Sequence, residues 1–548
     1  MVLQLAVTGH RALPAVDDAA VRAAVRGMFV AMGASVQTAF AADQALSSPC
    51  YAATPPVLRC ISGLAEGADR IFAEAALAEG WVLVAALPFL RDEYENDFEQ
   101  PASRATYRRL LTQSGSVIEL DGRRGRGGEP YDQLGRMLLE QSDMVAAIWD
   151  GMPPRGPGGT GDVVAAARAA GRPVVVFDAA APHFLRLPDS IGLAALTEAA
   201  LVPPQADGYP SQLFSDVTRP NPVFARLVSM FERTVLLGAR PRFTGSAAAA
   251  PAPDDPSFRA ADSLAGAYAT EYRAAGLIRF GVVLPVTLGG FLASFAPVVM
   301  RPVGLLLQFS ALAAVVALSW RGIWERPHRR FLAYRTLAEL LRQNWMLQPL
   351  GAVATLPGTP GHAAATTDWV AWCARAVSRQ EALPSGAIDS AVIVKAVERI
   401  VQHTMGQIAY YRRRAETFTH IAERLRRAGV ALFLVGLGFI AMRAVAMMIG
   451  AGPDSSRLLE ESALILPALA PVFLGLLGFG EYSRLSQRYT AVADHLERLQ
   501  RAMPDPVTDP AGCTRARVLQ IGHAMADAML AEVADWRVLI RAREISPY

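Results

Sequence analysis

The chain has 548 residues, of which 52% are apolar and 19% charged, and its formal net charge is +3. The apolar fraction exceeds that of an ordinary soluble protein and predicts membrane segments, whereas so small a net charge argues against a nucleic-acid partner. An apolar strand pattern with no basic region before it argues against a cleaved signal peptide. We expect isolated reduced thiols, with no disulfide framework and no metal site, because no CxxC pair or metal-ligand spacing occurs around Cys50, Cys60, Cys373 and Cys513.

Strand and helix patterns alternate over the first 180 residues. Apolar runs predict strands at 2–7, 57–61, 81–87, 117–120, 144–149 and 173–177. Amphipathic stretches predict helices at 21–32, 71–78, 107–112, 131–141 and 163–170. This alternation predicts an α/β domain with a doubly wound parallel sheet.

Three glycine-containing turns follow predicted strands. In a parallel sheet, ligands bind beyond the carboxyl ends of the strands, where glycines admit the ligand and helix N-termini offer unpaired N–H groups. The predicted ligand-binding residues are those of the three turns: Gly9, His10, Arg11, Ser62, Gly63, Gly67, Asp69, Gly158, Gly159, Thr160 and Gly161.

Side chains in these turns suggest individual roles. Arg11 is suited to pair with a phosphate, and His10 to do the same or to stack on a base. Asp69 stands at a helix start, where it either caps the helix or accepts a hydrogen bond from a ribose hydroxyl. Asp150 and Tyr94 are further candidates because both lie near predicted strand ends.

The turn motifs resemble the SLOG superfamily, which joins DNA-processing A proteins and LOG-type cytokinin-activating hydrolases. The resemblance covers residues 1–180 and is carried by Val7-Thr8-Gly9-His10-Arg11, by Ser-Gly-Leu-Ala-Glu-Gly-Ala-Asp at 62–69, and by Gly158-Gly159-Thr160-Gly161. It implies a nucleotide-binding Rossmann-like fold. The implied ligand is a nucleotide-derived molecule, such as a cyclic nucleotide or an ADP-ribose derivative, with no covalent cofactor.

The chain departs from the hydrolases of that superfamily at one position. Their motif, Pro-Gly-Gly-x-Gly-Thr-x-x-Glu, ends in a glutamate required for cleaving the N-glycosidic bond, and Ala165 occupies that position here. Alanine cannot exchange a proton, so we expect no catalytic residue of that type. Asp162 is a possible substitute, but an acid in the first turn of a helix is more simply explained by capping and the helix dipole.

A Pro- and Ala-rich segment at 246–259 is a predicted linker after a sensing domain at 1–245. Beyond it, apolar runs at 280–300, 302–320, 428–448 and 462–480 are each long enough to cross a hydrocarbon core of about 30 Å. Arg301 and Pro302 alone separate the first two runs, which predicts a helical hairpin, and the last two form a second pair. Arg443 interrupts the third run and must be paired, near an interface or facing water.

The arginines predict the orientation. Arg321, Arg326, Arg329 and Arg330 follow the first pair of runs, Arg424, Arg426 and Arg427 precede the second, and Arg484 and Arg488 follow it. The tips of the hairpins hold mainly Arg301 and Arg457. The positive-inside rule therefore predicts a four-span membrane protein with both termini, the central loop and the sensing domain in the cytoplasm.

The membrane region repeats one unit, because each pair of runs lies between helices containing Tyr and Arg, and 334–341 and 489–496 match in register. The two units, 260–399 and 400–548, resemble the SLATT family, two-span domains found beside SLOG domains in bacterial conflict systems. That resemblance implies a membrane-perforating, anti-phage effector in the bacterial inner membrane. The second unit ends in an amphipathic stretch, 514–543, which we expect to form a helix packed under the second hairpin.

These patterns favour a nucleotide-gated membrane effector. Its expected partners are a nucleotide-type ligand, the lipid bilayer and further copies of the chain in a symmetric oligomer, since four spans alone make no obvious channel. The alternative is a membrane-tethered nucleotide hydrolase of the LOG type. A transporter with a regulatory domain would need polar groups at mid-membrane, and few occur, chiefly Thr287, Ser294 and Gln308.

Overall fold

An eight-stranded sheet forms the core of the N-terminal part. The computed structural model describes residues 1–12, 18–47, 49–154, 156–179, 181–186, 192–204, 221–236, 252–295, 298–325, 327–356, 369–381, 383–450 and 453–545. The strands are β1 (Val2–Gly9), β2 (Val57–Ser62), β3 (Val82–Leu87), β4 (Ser116–Glu119), β5 (Met144–Trp149), β6 (Val174–Asp178), β7 (Ala181–Arg186) and β8 (Gly386–Ala387). Their order is β7-β6-β5-β1-β2-β3-β4-β8.

Seven of these strands are parallel, and β7 runs antiparallel to β6 at one edge. The predicted α/β domain with a parallel sheet is therefore confirmed, whereas β7 and β8 were not predicted. The order reverses at β1, since β2 to β4 follow on one side and β5 to β7 on the other. Leu3, Leu5 and Val7 are fully buried, as expected for a central strand covered on both faces.

Helices connect the strands and cover the sheet. They are α1 (Asp18–Gln44), α2 (Ala68–Ala78), α3 (Arg91–Tyr94), α4 (Pro101–Gln113), α5 (Glu129–Gln141), α6 (Thr160–Ala169) and α7 (Leu193–Leu201). Helix α1 contacts α2, and α5 contacts α6. The right-handed crossover rule assigns these two pairs to opposite faces of the sheet, because the connections run in opposite directions from β1.

The remaining chain is helical apart from β8 and short turns in the part that the structure describes. Its helices are α8 (Pro222–Val235), α9 (Pro256–Gly281), α10 (Val283–Phe295), α11 (Arg301–Glu325), α12 (Pro327–Leu347), α13 (Trp369–Gln380), α14 (Ser390–Met448), α15 (Pro453–Gly480), α16 (Tyr482–Ala502) and α17 (Arg515–Ile545). Helix α10 packs against α11, and α14 packs against both α15 and α16. Helix α9 begins inside the predicted linker, where the Asp255 carboxylate accepts from the Phe258 N–H at 2.8 Å, and residues 246–251 lie outside the described residues.

Four described helical stretches are long and apolar enough to cross a membrane: Ala19–Gln44, Pro256–Gly290, Ser390–Met448 and Ile465–Ala502. A shorter apolar helix covers Val298–Ala314. The predicted spans 280–300, 428–448 and 462–480 overlap the last three long stretches, and 302–320 overlaps the shorter helix.

Side-chain exposure separates these stretches into two kinds. Phe309 on α11 is 72% exposed, Phe433 on α14 is 52% exposed and Met448 at the end of α14 is 87% exposed. Apolar side chains exposed in such numbers are typical of a membrane-facing surface. In contrast, Val25 and Phe29 of α1 are fully buried in the core of the α/β part, so we assign α1 to that core and not to the bilayer.

Helix α13 joins the helical region to the sheet. The buried Asp143 carboxylate, just before β5, lies 2.9 Å from Nη2 of Arg375 and 3.0 Å from Nη1 of Arg379, and it accepts from the Gln4 N–H at 2.9 Å. Burial alone would raise the pKa of Asp143, but the two guanidinium groups and the N–H hold it below its ordinary value. Together with β8, which pairs with β4, α13 makes residues from 369 to 387 part of the N-terminal structure.

Candidate functional site

A pocket of about 370 Å³ lies at the carboxyl ends of β1, β2 and β5, where the strand order reverses. Nine of the eleven predicted ligand-binding residues line it: Gly9, His10, Arg11, Gly63, Asp69, Gly158, Gly159, Thr160 and Gly161. The further candidates Asp150 and Tyr94 also line it. Three turns that are far apart in sequence therefore meet at one crevice, and its volume suits a small-molecule ligand.

The other two predicted residues, Ser62 and Gly67, support the pocket without lining it. The Ser62 hydroxyl accepts from the Leu64 N–H at 3.1 Å and donates to the Asp69 carbonyl at 3.2 Å. Gly67 has a φ of 81°, and a Cβ there would overlap the carbonyl oxygens of His10 and Arg11. Glycine is therefore needed at position 67 for the second turn to pack against the first.

Asp69 is the buried carboxylate of the pocket. Its side chain does not cap α2, and Oδ2 instead accepts from the Ala65 N–H at 3.4 Å across the turn. Burial raises the pKa of Asp69 to about 7, against the opposing effects of the Ala65 N–H and the nearby Arg11 and Arg70. Near neutral pH this group can therefore either accept or donate a proton inside the pocket.

The turn before α6 presents its backbone to the pocket. Gly158 adopts a φ of 76° and donates its N–H to Asp162 Oδ2 at 3.0 Å, so the Asp162 carboxylate closes the turn. Among the described residues, no acceptor is assigned to the N–H groups of Thr160 and Gly161 in the first turn of α6. Such N–H groups, at the positive end of the helix dipole, favour an anion.

Ala165 stands outside the pocket. It is exposed on α6 and is not among the lining residues, although Thr160, Gly161 and Val163 of the same helix are. Among the described residues, no group of three or more His, Cys, Asp or Glu side chains is arranged to hold a metal ion. Asp69 and Asp150 are the acids that line the pocket, while Asp162 is engaged in the turn.

His10 and Asp150 connect the first turn to the end of β5. His10 Nε2 lies 3.1 Å from both the Asp150 N–H nitrogen and Asp150 Oδ1. A neutral ring with an unprotonated Nε2 accepts from the N–H, whereas a protonated ring donates to the carboxylate. The pair therefore fixes the histidine ring at the pocket wall in either protonation state.

Arg11 is held over the pocket by acidic and aromatic neighbours. Its guanidinium lies 3.6 Å from Asp97 and 5.5 Å from the centre of the Tyr131 ring. The Tyr131 hydroxyl donates to Asp97 at 2.5 Å, and Arg124 donates to the other carboxylate oxygen at 2.7 Å. Half of the Arg11 side chain remains exposed, so its charge is positioned by Asp97 yet accessible to an anionic ligand.

Helix α5 supplies the wall that the sequence did not predict. Tyr131, Leu134, Gly135 and Leu138 line the pocket at helical spacing, and Trp149 closes the end of β5. The spacing of these residues is that of an ordinary buried helix face, so the sequence contained no signal for a ligand.

In comparisons with known proteins, the chain matches no protein-family model and no curated protein sequence.

Proposed function

We propose that this protein is a nucleotide-gated membrane effector, in which a ligand at the pocket changes the arrangement of the membrane helices. The resemblance to SLOG and SLATT proteins suggests a nucleotide-derived signal and a membrane-permeabilising output. The accessible Arg11 charge and the N–H groups of Thr160 and Gly161 offer complementary groups for one phosphate. The proposal includes four further features. The α/β domain is Rossmann-like, the membrane helices form two hairpins, both termini are cytoplasmic, and the chain assembles into a symmetric oligomer.

One observation carries the gating proposal: the helix that lines the pocket also contacts the helical region. Tyr131, near the start of α5, lines the pocket, and Gln141, at its end, donates from Nε2 to the Gly351 carbonyl at 3.1 Å. Glu140 lies 3.7 Å from Nε2 of His523 on α17. A shift of α5 on ligand binding would therefore act directly on both membrane units.

Helix α17 continues this connection. At its start, the Arg515 N–H donates to Asp121 at 2.9 Å and the Arg515 side chain donates to the Leu350 carbonyl at 2.8 Å. Along its length α17 contacts α12, α14 and α16. These three helices flank the predicted spans, so α17 links the pocket domain with the ends of both membrane units.

The proposal is tested with the full-length chain. A thermal-shift assay of the detergent-purified protein measures binding of mononucleotides, cyclic nucleotides and ADP-ribose, and release of a dye from liposomes measures permeabilisation. We expect a nucleotide that stabilises the protein also to trigger dye release, because only a ligand with different affinities for the two states shifts their populations. Absence of a thermal shift with every nucleotide, or release that is independent of the ligand, would contradict the proposal.

A substitution on α5 separates binding from gating. Gln141→Ala removes the hydrogen bond to Gly351 while leaving the pocket wall intact, so we expect the thermal shift to persist and ligand-triggered release to weaken. Gln133→Ala is the matched control, because Gln133 lies on the same helix and bonds only to Glu129 within it at 3.3 Å. Equal release by the two variants would exclude the hydrogen bond between Gln141 and Gly351 as the connection.

A second candidate function, nucleotide hydrolysis, is favoured by Asp69. A buried carboxyl with a pKa of about 7 inside a ligand pocket has the properties of a general acid or base. Product formation from nucleotides by the purified full-length chain, abolished in Asp69→Asn, would establish hydrolysis and refute a pure sensor. Without turnover, Asp69 is left with a role in binding.

A further inference from the structure

A second cavity, of about 150 Å³, lies where seven helices of the helical region converge. Helices α8, α9, α12, α14, α15, α16 and α17 each contribute to its wall. Seven Phe and Tyr side chains line it together with His328 and four charged residues; the seven are Phe231, Tyr272, Phe331, Phe418, Phe479, Tyr482 and Tyr489. The rings of Tyr272 and Phe479 stack with centres 5.0 Å apart, which joins α9 to α15 at the cavity.

The cavity lies at one end of the candidate membrane helices. Leu476, Phe479 and Gly480 belong to the last turn of α15, inside the predicted span 462–480. Leu277 of α9 lies just before the predicted span 280–300. In a membrane-inserted chain the cavity is therefore at the boundary between the hydrocarbon and the cytoplasmic helices.

The charged residues around the cavity have partners of opposite sign. Arg273 lies 3.7 Å from Glu232, and Arg335 lies 3.8 Å from Glu339 and has its positive charge further stabilised by Glu532. The charged side chains of the cavity therefore require no counter-charge from an occupant. A free anion or cation would instead compete with the existing ion pairs. An apolar occupant fits this environment best.

The connection between α15 and α16 forms one side of the cavity and is conformationally unusual. Glu481 has a φ of 47°, in the left-handed region that non-glycine residues rarely adopt. A Cβ at Gly480 would overlap the Tyr482 ring, so the bend depends on glycine at that position. An occupant would thus contact a strained bend between a candidate membrane helix and a cytoplasmic helix.

We propose that this cavity binds the acyl chain of a membrane lipid. An apolar cavity of this size accommodates a benzene-sized apolar group. Leu474, on the same helix as Phe479, is 53% exposed on the surface that would face lipid, so one helix carries both the lipid-facing surface and part of the cavity wall. This inference rests on the proposed membrane location and goes beyond the proposed nucleotide gating.

The test uses the full-length chain in liposomes that contain a phospholipid with a photoactivatable diazirine in its acyl chain. After illumination, peptide mass spectrometry locates the adducts. We expect adducts on the peptides around Tyr272 and Leu485, which line the cavity, as well as around Phe433, which is exposed on α14. The Phe433 adducts report membrane insertion, and the cavity adducts report the bound chain.

Filling the cavity provides the matched comparison. Ala269 is buried and lines the cavity, so Ala269→Phe should abolish the cavity adducts and spare those at Phe433. Val228→Phe fills the cavity from α8 and should also abolish the cavity adducts. Ala431→Phe adds the same ring to an exposed position of α14 and should change neither the cavity adducts nor those at Phe433.

Each outcome is informative. Adducts at Phe433 without adducts in the cavity overturn the acyl-chain site while leaving the membrane location intact. Cavity adducts that persist in both filled variants also overturn it, because the label is then outside the cavity. Absence of adducts anywhere refutes the membrane location itself and this inference with it.

Discussion

Replacing Asp69 by asparagine should stabilise the protein at alkaline pH and have little effect in acid. The folded pocket holds the Asp69 carboxyl at a pKa of about 7, whereas in the unfolded chain its pKa is about 3.9. Because the folded pKa is raised, the folded state keeps its proton between these values while the unfolded state loses it. Stability must therefore fall as the pH rises from about 4 to about 7, and stay level above that.

The size of the effect follows from the shift. One unit of pKa corresponds to about 1.4 kcal/mol, so a shift of about three units sets an upper limit of about 4 kcal/mol at pH 8. The asparagine side chain has no proton to lose and nearly the same shape, and its carbonyl can still accept from the Ala65 N–H that now donates to Asp69. The substitution removes the cost of burying a charge and retains the turn.

The assay is the unfolding temperature of the full-length protein in detergent, measured from pH 4 to pH 8. Asp69→Asn and the wild type should converge at pH 4, separate progressively up to about pH 7 and keep that difference to pH 8, with the variant more stable. Asp132→Asn is the control, because Asp132 forms an i,i+4 pair with Arg136 at 3.1 Å near the surface and should show no such divergence. A variant less stable than the wild type at pH 8 would show that Arg11 and Arg70 outweigh burial and would refute the reasoning.

Two further substitutions test the packing of the domain and its pocket. Asp143→Asn removes the carboxylate that pairs with the buried Arg379 and the partly exposed Arg375, so we expect a loss of about 3–5 kcal/mol in unfolding free energy, measured by denaturant titration in detergent. Gly158→Ala combines a φ of 76° with a Cβ that would overlap the backbone at Tyr131, and it should abolish the nucleotide thermal shift while carbonate extraction still finds the protein in the membrane.

Local patterns predicted the sheet and the meeting of the three turns. Six strands were expected, and each falls on an observed one, because strands buried on both faces are almost continuously apolar. The turns after β1, β2 and β5 then had to converge, since carboxyl ends of adjacent parallel strands share one edge. Gly67 was assigned to the ligand, yet its position is fixed by contact with the carbonyls of His10 and Arg11.

The rest of the architecture depends on contacts between distant parts of the chain. Strand β8 has only two residues, Gly386 and Ala387, and pairs with β4 from the far end of the sequence, so neither composition nor periodicity marked it. In the sequence, Asp143 is an ordinary acid before a strand. Its ion pairs with Arg375 and Arg379 become visible only in the structure. Long-range ion pairs leave no local pattern, and for this reason the sequence did not indicate that α13 docks on the sheet.

These long-range contacts bear on how a signal would leave the pocket. A 13-residue helix such as α5 spans roughly 20 Å, with Tyr131 at the pocket and Gln141 at the opposite edge of the sheet. Asp143 follows Gln141 by two residues, and its ion pairs anchor α13 of the first membrane unit at that edge. A domain held at its amino edge and displaced at its carboxyl edge tilts about that anchor. Such a tilt would drive α17, through His523, against the helices that enter the membrane.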